Sequence, residues 1–384
     1  MTEGRYGAHA GRTSPCFFHG IVPLLFSAAM AFFAMGAGCN AGYQPVAMTR
    51  WNAATENFAV EKRLEVVGAE ALPEGIFVIR KGGVRYVLEV YNDEGRVLQS
   101  AYLDHPVRKW LVLKKPFRVF LIVEEEPQRR RLYRWTPPSS PTPLGRVGLW
   151  TDLARLGEET CAAFRSLYET RDVAPSGVEI VDAETGKRLL RDEHSYHYPL
   201  GHGSGLVLSP VDRGIRSLNA EFSTPIGTIS SWANQPRVRL DGRYVAWYGP
   251  KALGTALFVA GPKGKPHILR RKEAITPFRW SRKDLFVAVK ERYTDRWSLV
   301  RYSVPSDTPT ASITLPDDIH PDEFLVSPRG DIIGFRRTSG SVLAAPEKEL
   351  YQEFPGLPLD AWRFSPEGDR LYFVTEEGIS RVDL

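Results

Sequence analysis

The chain has 384 residues, 43% hydrophobic and 25% charged, which excludes a disordered polymer and allows a sizeable buried core. Lys and Arg total 50 against 45 Asp and Glu, and this excess of +5 falls short of the concentrated basic face of a nucleic-acid binder. Three cysteines exclude a disulfide framework, while 33 Gly and 29 Pro point to many turns joining short elements.

Residues 21–38 (IVPLLFSAAMAFFAMGAG) form an uncharged apolar run behind a segment carrying Arg5 and Arg12 with only Glu3 opposing them, the layout of an export signal. The run ends in Gly36-Ala37-Gly38-Cys39, small residues directly before a cysteine. This resembles the bacterial lipoprotein signal. The resemblance implies cleavage before Cys39, diacylation of Cys39 as the lipidation site, and a membrane held through the N-terminal lipid. It departs from the usual pattern at Gly36, where Leu is common. Two alternatives stand beside it: an uncleaved anchor, because 18 residues reach the lower limit of a membrane-spanning helix, and an ordinary secretory cut beside Ala37 or Gly38. All three place the body on the periplasmic or extracellular side of a bacterial envelope. Asn40, where Asp would signal retention, favours the outer membrane in the lipoprotein reading. Cys16 lies in the signal, so the processed chain keeps Cys161 as a lone thiol. Its acidic neighbours Glu158 and Glu159 argue for a buried small residue and against a nucleophile.

Residues 39–72 are read as a tether, with Arg63–Val67 as a candidate strand to close a ring. From Gly75 the chain alternates apolar and polar residues in runs of four to eight. The runs 76–80, 85–91 and 96–100 are joined by Gly82-Gly83 and Asn92-Asp93-Glu94-Gly95, and the layout repeats at 110–113, 118–124 and 132–135. Glu124-Glu125-Glu126 and Arg129-Arg130-Arg131 are expected to pair across a hairpin. The Pro-rich stretch 136–143 cannot be a central strand, since each proline lacks an amide donor, and reads as an excursion between units. Residues 151–171 place Leu153, Leu156, Thr160, Ala163, Phe164 and Leu167 at helical spacing, which predicts a short amphipathic helix inserted in one unit. Strands resume at 178–182 and 188–190.

Three of the eight histidines fall within residues 192–203. Imidazoles beside carboxylates suit Zn or a similar ion, which makes His194, His197 and His202 the candidate metal ligands. Against this, His194 and His197 share a face only on a helix, and Pro199 with the flanking glycines argues for a loop. A polar loop is the favoured reading and no metal is assigned. Gly201-His202-Gly203-Ser204-Gly205 lacks the Gly-x-Ser-x-Gly spacing of a nucleophile elbow. The chain contains no P-loop, no dinucleotide-binding glycine pattern after a strand and no paired-cysteine metal motif, so no cofactor and no catalytic residue are assigned.

Internal similarity decides among the all-β options. Arg363-Phe364-Ser365-Pro366-Glu367-Gly368-Asp369 followed by an apolar strand matches Leu325-Val326-Ser327-Pro328-Arg329-Gly330-Asp331. Arg279-Trp280-Ser281 and Val238-Arg239-Leu240-Asp241-Gly242 match in part. The spacings of the Ser column are 42, 46 and 38 residues, near the length of a four-stranded propeller blade. Proline presets the first turn residue and glycine permits the positive φ at the reversal. Trp247, Trp280 and Trp362 recur in or beside these hairpins and are assigned to packing between blades.

These hairpins resemble the TolB-like, or WD40-like (PD40-type), β-propeller repeat over roughly 236–384, with weaker strand rhythm back to Gly75. The resemblance implies the fold, without the α/β domain of TolB or the hydrolase domain of prolyl peptidases. The expectation is therefore all-β: an export signal at 1–38, a tether at 39–72, and at 73–384 a single β-propeller. It should have about seven four-stranded blades, with six or eight left open, and a helical insertion at 151–171. The favoured function is a monomeric binding or scaffolding module whose face takes an envelope protein or small ligand, with no nucleic acid. The alternative is a propeller-mouth enzyme, a metal-dependent hydrolase or lyase using the three histidines.

Overall fold

Strands that are apolar on both faces need a neighbour on each side, and the chain meets that demand with eight four-stranded antiparallel sheets. A computed structural model describes residues 50–51, 64–156, 159–168, 176–194, 196–199, 205–208, 214–217, 224–228, 234–239, 243–251, 254–262, 266–271, 276–290, 296–315, 319–345 and 350–384. The sheets, taken as blades 1 to 8, are 65–103, 107–147, 152–192, 196–228, 234–271, 278–314, 319–355, and 362–383 joined by Arg50–Trp51. Within blades 1 to 7 the chain crosses the sheet strand by strand. First strands of neighbouring blades pack together, as Val107–Lys114 does on Asp152–Leu156 and Phe278–Trp280 on Ile319–Val326, so the first strand is innermost. The contact of Glu65–Leu72 with Trp362–Phe364 brings blade 8 against blade 1 and completes a propeller.

The core lies in layers between blades. Phe120 and Ile122 pack with Cys161 and Ala163 between blades 2 and 3, whereas Val119, Leu121 and Val123 on the same strand face Phe77 and Ile79 of blade 1. The period-2 geometry of a strand therefore serves two interfaces at once. Trp362 stands edge-on to Phe354 and Phe373 at centroid separations of 5.4 and 5.2 Å, filling the layer between blades 7 and 8. Trp247 is likewise buried, and Trp280 is partly buried against the layer between blades 5 and 6.

Four expectations change. Residues 151–171 contain no helix among the described residues: Asp152–Leu156 and Thr160–Tyr168 are the first two strands of blade 3. Cys161, Ala162, Ala163 and Phe164 are all buried because successive side chains enter opposite layers, and such a continuous apolar run also satisfies a helical spacing. Restoring this segment to strands makes it a blade in its own right, and the count becomes eight, within the range left open. The ring-closing strand is Arg50–Trp51, paired with Ile379–Asp383, whereas Glu65–Leu72 is the innermost strand of blade 1. The Pro-rich stretch joins the third and fourth strands of blade 2 and is not a link between blades.

The Ser column has a defined role. Ser327 and Ser365 are fully buried. Their hydroxyls donate to the carboxylates of Asp331 (2.8 Å) and Asp369 (2.7 Å) and accept backbone N–H groups from the same turn. Gly330 (φ +81°) and Gly368 (φ +73°) complete these turns in a conformation that disfavours other residues. The turns also nest. The backbone N–H of Arg282 donates to the Pro328 carbonyl (2.8 Å), and Arg329 Nε donates to the Glu367 carbonyl (2.8 Å), tying blades 6, 7 and 8 along one edge.

The seam between blades 8 and 1 is polar as well as apolar. Arg370 pairs with Asp93 and donates to the Pro73 carbonyl, and the Tyr372 hydroxyl donates to Asp93 Oδ1 at 2.5 Å. Burial and the Asp93 carboxylate raise the Tyr372 phenol, which stays protonated and donating at any physiological pH. Arg80 Nη1 reaches the Thr375 carbonyl at 3.0 Å, and Arg363 Nε reaches the Ala69 carbonyl at 2.8 Å. Asp93→Ala removes the shared acceptor and should lower unfolding free energy by about 2 kcal/mol. Arg85→Ala, which breaks an exposed pair with Asp104, should cost under about 1 kcal/mol, with denaturant titration as the readout for both.

Candidate functional site

The innermost strands of six blades carry charged side chains in their last four residues: Glu70, Lys114, Arg155, Arg237, Arg279 and Arg363. Each is only partly buried, although the residues flanking them on the same strands enter the layers. Two to three residues separate most of them from the turn that ends the strand, and in the aligned repeats Arg237, Arg279 and Arg363 all stand two positions before the Ser column, with Leu325 at that place in blade 7.

Their contacts converge on one side of the ring. Glu70 of blade 1 accepts from Arg155 of blade 3 at 3.1 Å and lies 3.7 Å from Lys114 Nζ of blade 2. Arg155 also donates to the Val112 carbonyl at 2.6 Å, so it spans blade 2 to reach blade 1. Burial lowers the Lys114 ammonium, and Glu70 opposes that shift. Burial lowers the Arg363 guanidinium, with Asp360 and Glu70 opposing. Glu367, at the turn of blade 8, acts favourably on Lys114, and its Oε2 is buried without a hydrogen-bond partner among the described residues. Blades 1, 2, 3 and 8 thus form a mixed, largely compensated charge cluster around Glu70.

Blades 5 and 6 differ. Arg279 is lowered to about 10 by burial and then by the like charge of Arg237, and Arg237 is itself lowered by burial. Trp280 Nε1 donates to the Arg237 carbonyl at 3.0 Å, fixing the two strands in register, and Arg279 lies 5.5 Å from the centroid of the Phe324 ring. Among the described residues the Arg279 guanidinium donates one hydrogen bond, to the neighbouring Phe278 carbonyl at 2.9 Å.

A second recess of about 510 Å³ opens at the rim of blades 2 and 3, lined by Thr136, Pro137, Ser139 and Ser140 of the Pro-rich stretch with Arg118, Arg134 and Glu184. Both arginines pair with Glu184, so the charge there is mostly satisfied within the protein. Glu124, Glu125 and Glu126 pair with Arg130, Arg131 and Arg129 across their hairpin as expected.

Of the candidate metal ligands, His194 follows blade 3, its N–H donating to Asp192 Oδ1 at 2.9 Å, and His197 lies on the first strand of blade 4 opposite Val207. His202 and Cys39 lie outside the described residues. Among the described residues, no three His, Cys, Asp or Glu side chains gather as metal ligands would. Cys161 is buried in the layer between blades 2 and 3, and burial, then Asp182, pushes its thiol well up, consistent with a packing role. No described helix is long and apolar enough to cross a membrane.

In the sequence the inner arginines carry no assigned role, because the chemistry of the repeat is concentrated in the turn at the Ser column. The signal was the repetition itself: Arg279 and Arg363 head their copies of the repeat, and Arg237 stands at the same offset, one residue before the start of the earliest copy.

No family model and no curated protein matches this chain. Among solved structures it is similar to one titled as a eukaryotic initiation factor, at 10% identity with a TM-score of 0.53 over 91% of this chain and 89% of that one. It is also similar to BamB from Moraxella catarrhalis (10% identity, TM-score 0.48, covering 83% and 97%) and to an uncharacterised protein of Listeria monocytogenes EGD-e (10%, 0.48, 79% and 95%). At such identities the first of these likenesses speaks for the fold alone.

Glu70→Ala leaves Lys114, Arg155 and Arg363 without their common carboxylate and should lower stability by about 2 kcal/mol. The loss should shrink in high salt, which screens the exposed repulsion, and thermal unfolding at low and high ionic strength checks both effects.

Proposed function

We propose that the chain is an exported, lipid-anchored β-propeller that acts as a binding module in the bacterial envelope, with the inner-strand face as its recognition surface. The observation that carries this reading is the placement of five cations, Lys114, Arg155, Arg237, Arg279 and Arg363, on the innermost strands, against Glu70 and Glu367. A rigid ring holds such groups in place without ordering them at each binding event, which saves the entropy that flexible side chains would lose. The anchoring half of the proposal rests on the export-type run and the Gly36-Ala37-Gly38-Cys39 sequence. Cleavage before Cys39 would leave the 24 residues 40–63 between Cys39 and Leu64, which directly precedes blade 1, with the short strand Arg50–Trp51 among them.

In a bacterial host, intact-mass measurement of the membrane-extracted protein should show a chain beginning at Cys39 with added acyl mass. Cys39→Ala should move the protein out of the detergent-dependent membrane fraction. An N-terminus upstream of Cys39 in the mature protein overturns the lipoprotein reading. For the binding role, crosslinking in the intact envelope followed by purification should recover a reproducible partner with the wild-type protein, and recovery should fall when Arg155 and Arg363 are replaced together by Gln.

A further inference from the structure

Several part-buried arginines of this molecule stand beside a carboxylate. Arg80 has Glu89 at 3.5 Å, Arg155 has Glu70 at 3.1 Å, Arg301 has Asp284 at 2.7 Å, and Arg370 has Asp93. Arg363 bonds only to carbonyls, with the Asp360 and Glu70 carboxylates acting on it from further off, whereas no described carboxylate acts on Arg237 or Arg279. Neither forms an ion pair with any described residue, yet both are withdrawn from water on neighbouring innermost strands, and Arg237 acts on Arg279 as a like charge. Keeping two like charges partly desolvated and adjacent costs stability unless something of opposite sign joins them.

The surroundings are ordered in a way that preserves the arrangement. The Trp280 indole holds the Arg237 carbonyl, Arg279 is anchored through the Phe278 carbonyl, and the Phe324 ring of blade 7 stands on the far side of Arg279. Phe278 is buried in the layer between blades 5 and 6, and Phe324 in the layer between blades 6 and 7, so the strand that carries Arg279 is held in place on both sides. Among the described residues, the Arg279 guanidinium uses one of its five donors, on a carbonyl, and Arg237 has no side-chain partner.

We infer that Arg237 and Arg279 form a subsite for a doubly charged tetrahedral oxyanion, a phosphate group, held between the two guanidinium planes at the inner face of blades 5 and 6. A dianion neutralises both cations, whereas a single carboxylate would leave one uncompensated. The tetrahedral oxygens also offer one edge to each planar fork, the bidentate geometry that arginine supplies and lysine does not. The compensated half of the ring around Glu70 provides a second wall of mixed charge for the remainder of a phosphorylated ligand. This inference deepens the binding-module reading and rests on its placement of recognition at the inner face.

Inorganic phosphate is the probe. With ionic strength held constant by NaCl, phosphate should raise the thermal midpoint of the full chain in a saturable way and broaden its own ³¹P resonance, as linkage requires of a ligand that binds the folded state. Arg237→Gln and Arg279→Gln should each weaken the apparent affinity about tenfold or more, the loss expected for one charge-assisted contact. Arg279→Lys, which keeps the charge and loses the fork, should fall between Arg279→Gln and wild type, and it keeps the test decisive if a Gln variant fails to fold. Arg118→Gln at the rim should bind as wild type does. An equal response to NaCl and phosphate, or phosphate affinity unchanged in both Gln variants, overturns the inference. The envelope crosslinking experiment reads a different quantity. Partner capture that persists without phosphate binding removes this subsite alone, and phosphate binding without any capture removes the envelope-module reading alone.

Discussion

Closure of the ring is the constraint on which the rest depends. A sheet with two apolar faces cannot be left at the end of a row, because one face would then meet water and its outer edge would stay unpaired. Blade 8 solves both problems at once. Its inner strands pack on blade 1 through Tyr372 and Val374 against Ile76 and Val78, and its outer edge is paired with Arg50–Trp51 from the start of the body. The Asp93, Arg370 and Tyr372 contacts then give the seam a directional lock that apolar burial alone does not supply.

Closure also explains why the inner strands can carry so much charge. In an open sheet, Arg155 could turn outward into solvent. Here its strand is pinned by layers on both sides, and its guanidinium must lie across blade 2 to reach Glu70. The same confinement holds Arg237 beside Arg279. The stabilisation that supports this electrostatic cost is spread over the layers between blades, where side chains such as Phe120, Leu121, Val287 and Leu343 are fully or almost fully buried.

Much of this architecture was legible from residues. The Ser-Pro-x-Gly turns at Ser327 and Ser365 identified the repeat because their chemistry is local: a buried hydroxyl, a carboxylate four residues on, and a glycine at positive φ. Blade 3 was misread because its strands carry the burial of two interfaces, and Cys161 to Phe164 then shows no period that separates strand from helix. The closing strand was misplaced for a different reason. Arg63–Val67 has the better strand composition, but the last blade needs an outer partner, and the stretch beginning at Glu65 is already used as the innermost strand of blade 1. Which segment closes a ring is a question of topology, and local composition cannot answer it.

The inner-strand arginines were hidden by the feature that makes the repeat visible. Attention falls on Ser, Pro and Gly because the turn demands them, whereas the inner arginine is not required by the fold: Leu325 occupies its place in blade 7 and the blade forms all the same. A position the fold leaves free, yet which carries arginine in three of the four aligned repeats, is set by something other than folding. In the half of the ring where carboxylates answer those arginines, internal electrostatics supplies that reason. Around Arg237 and Arg279 no described group does, and the phosphate subsite proposed there is the reading that gives this pair its compensating charge.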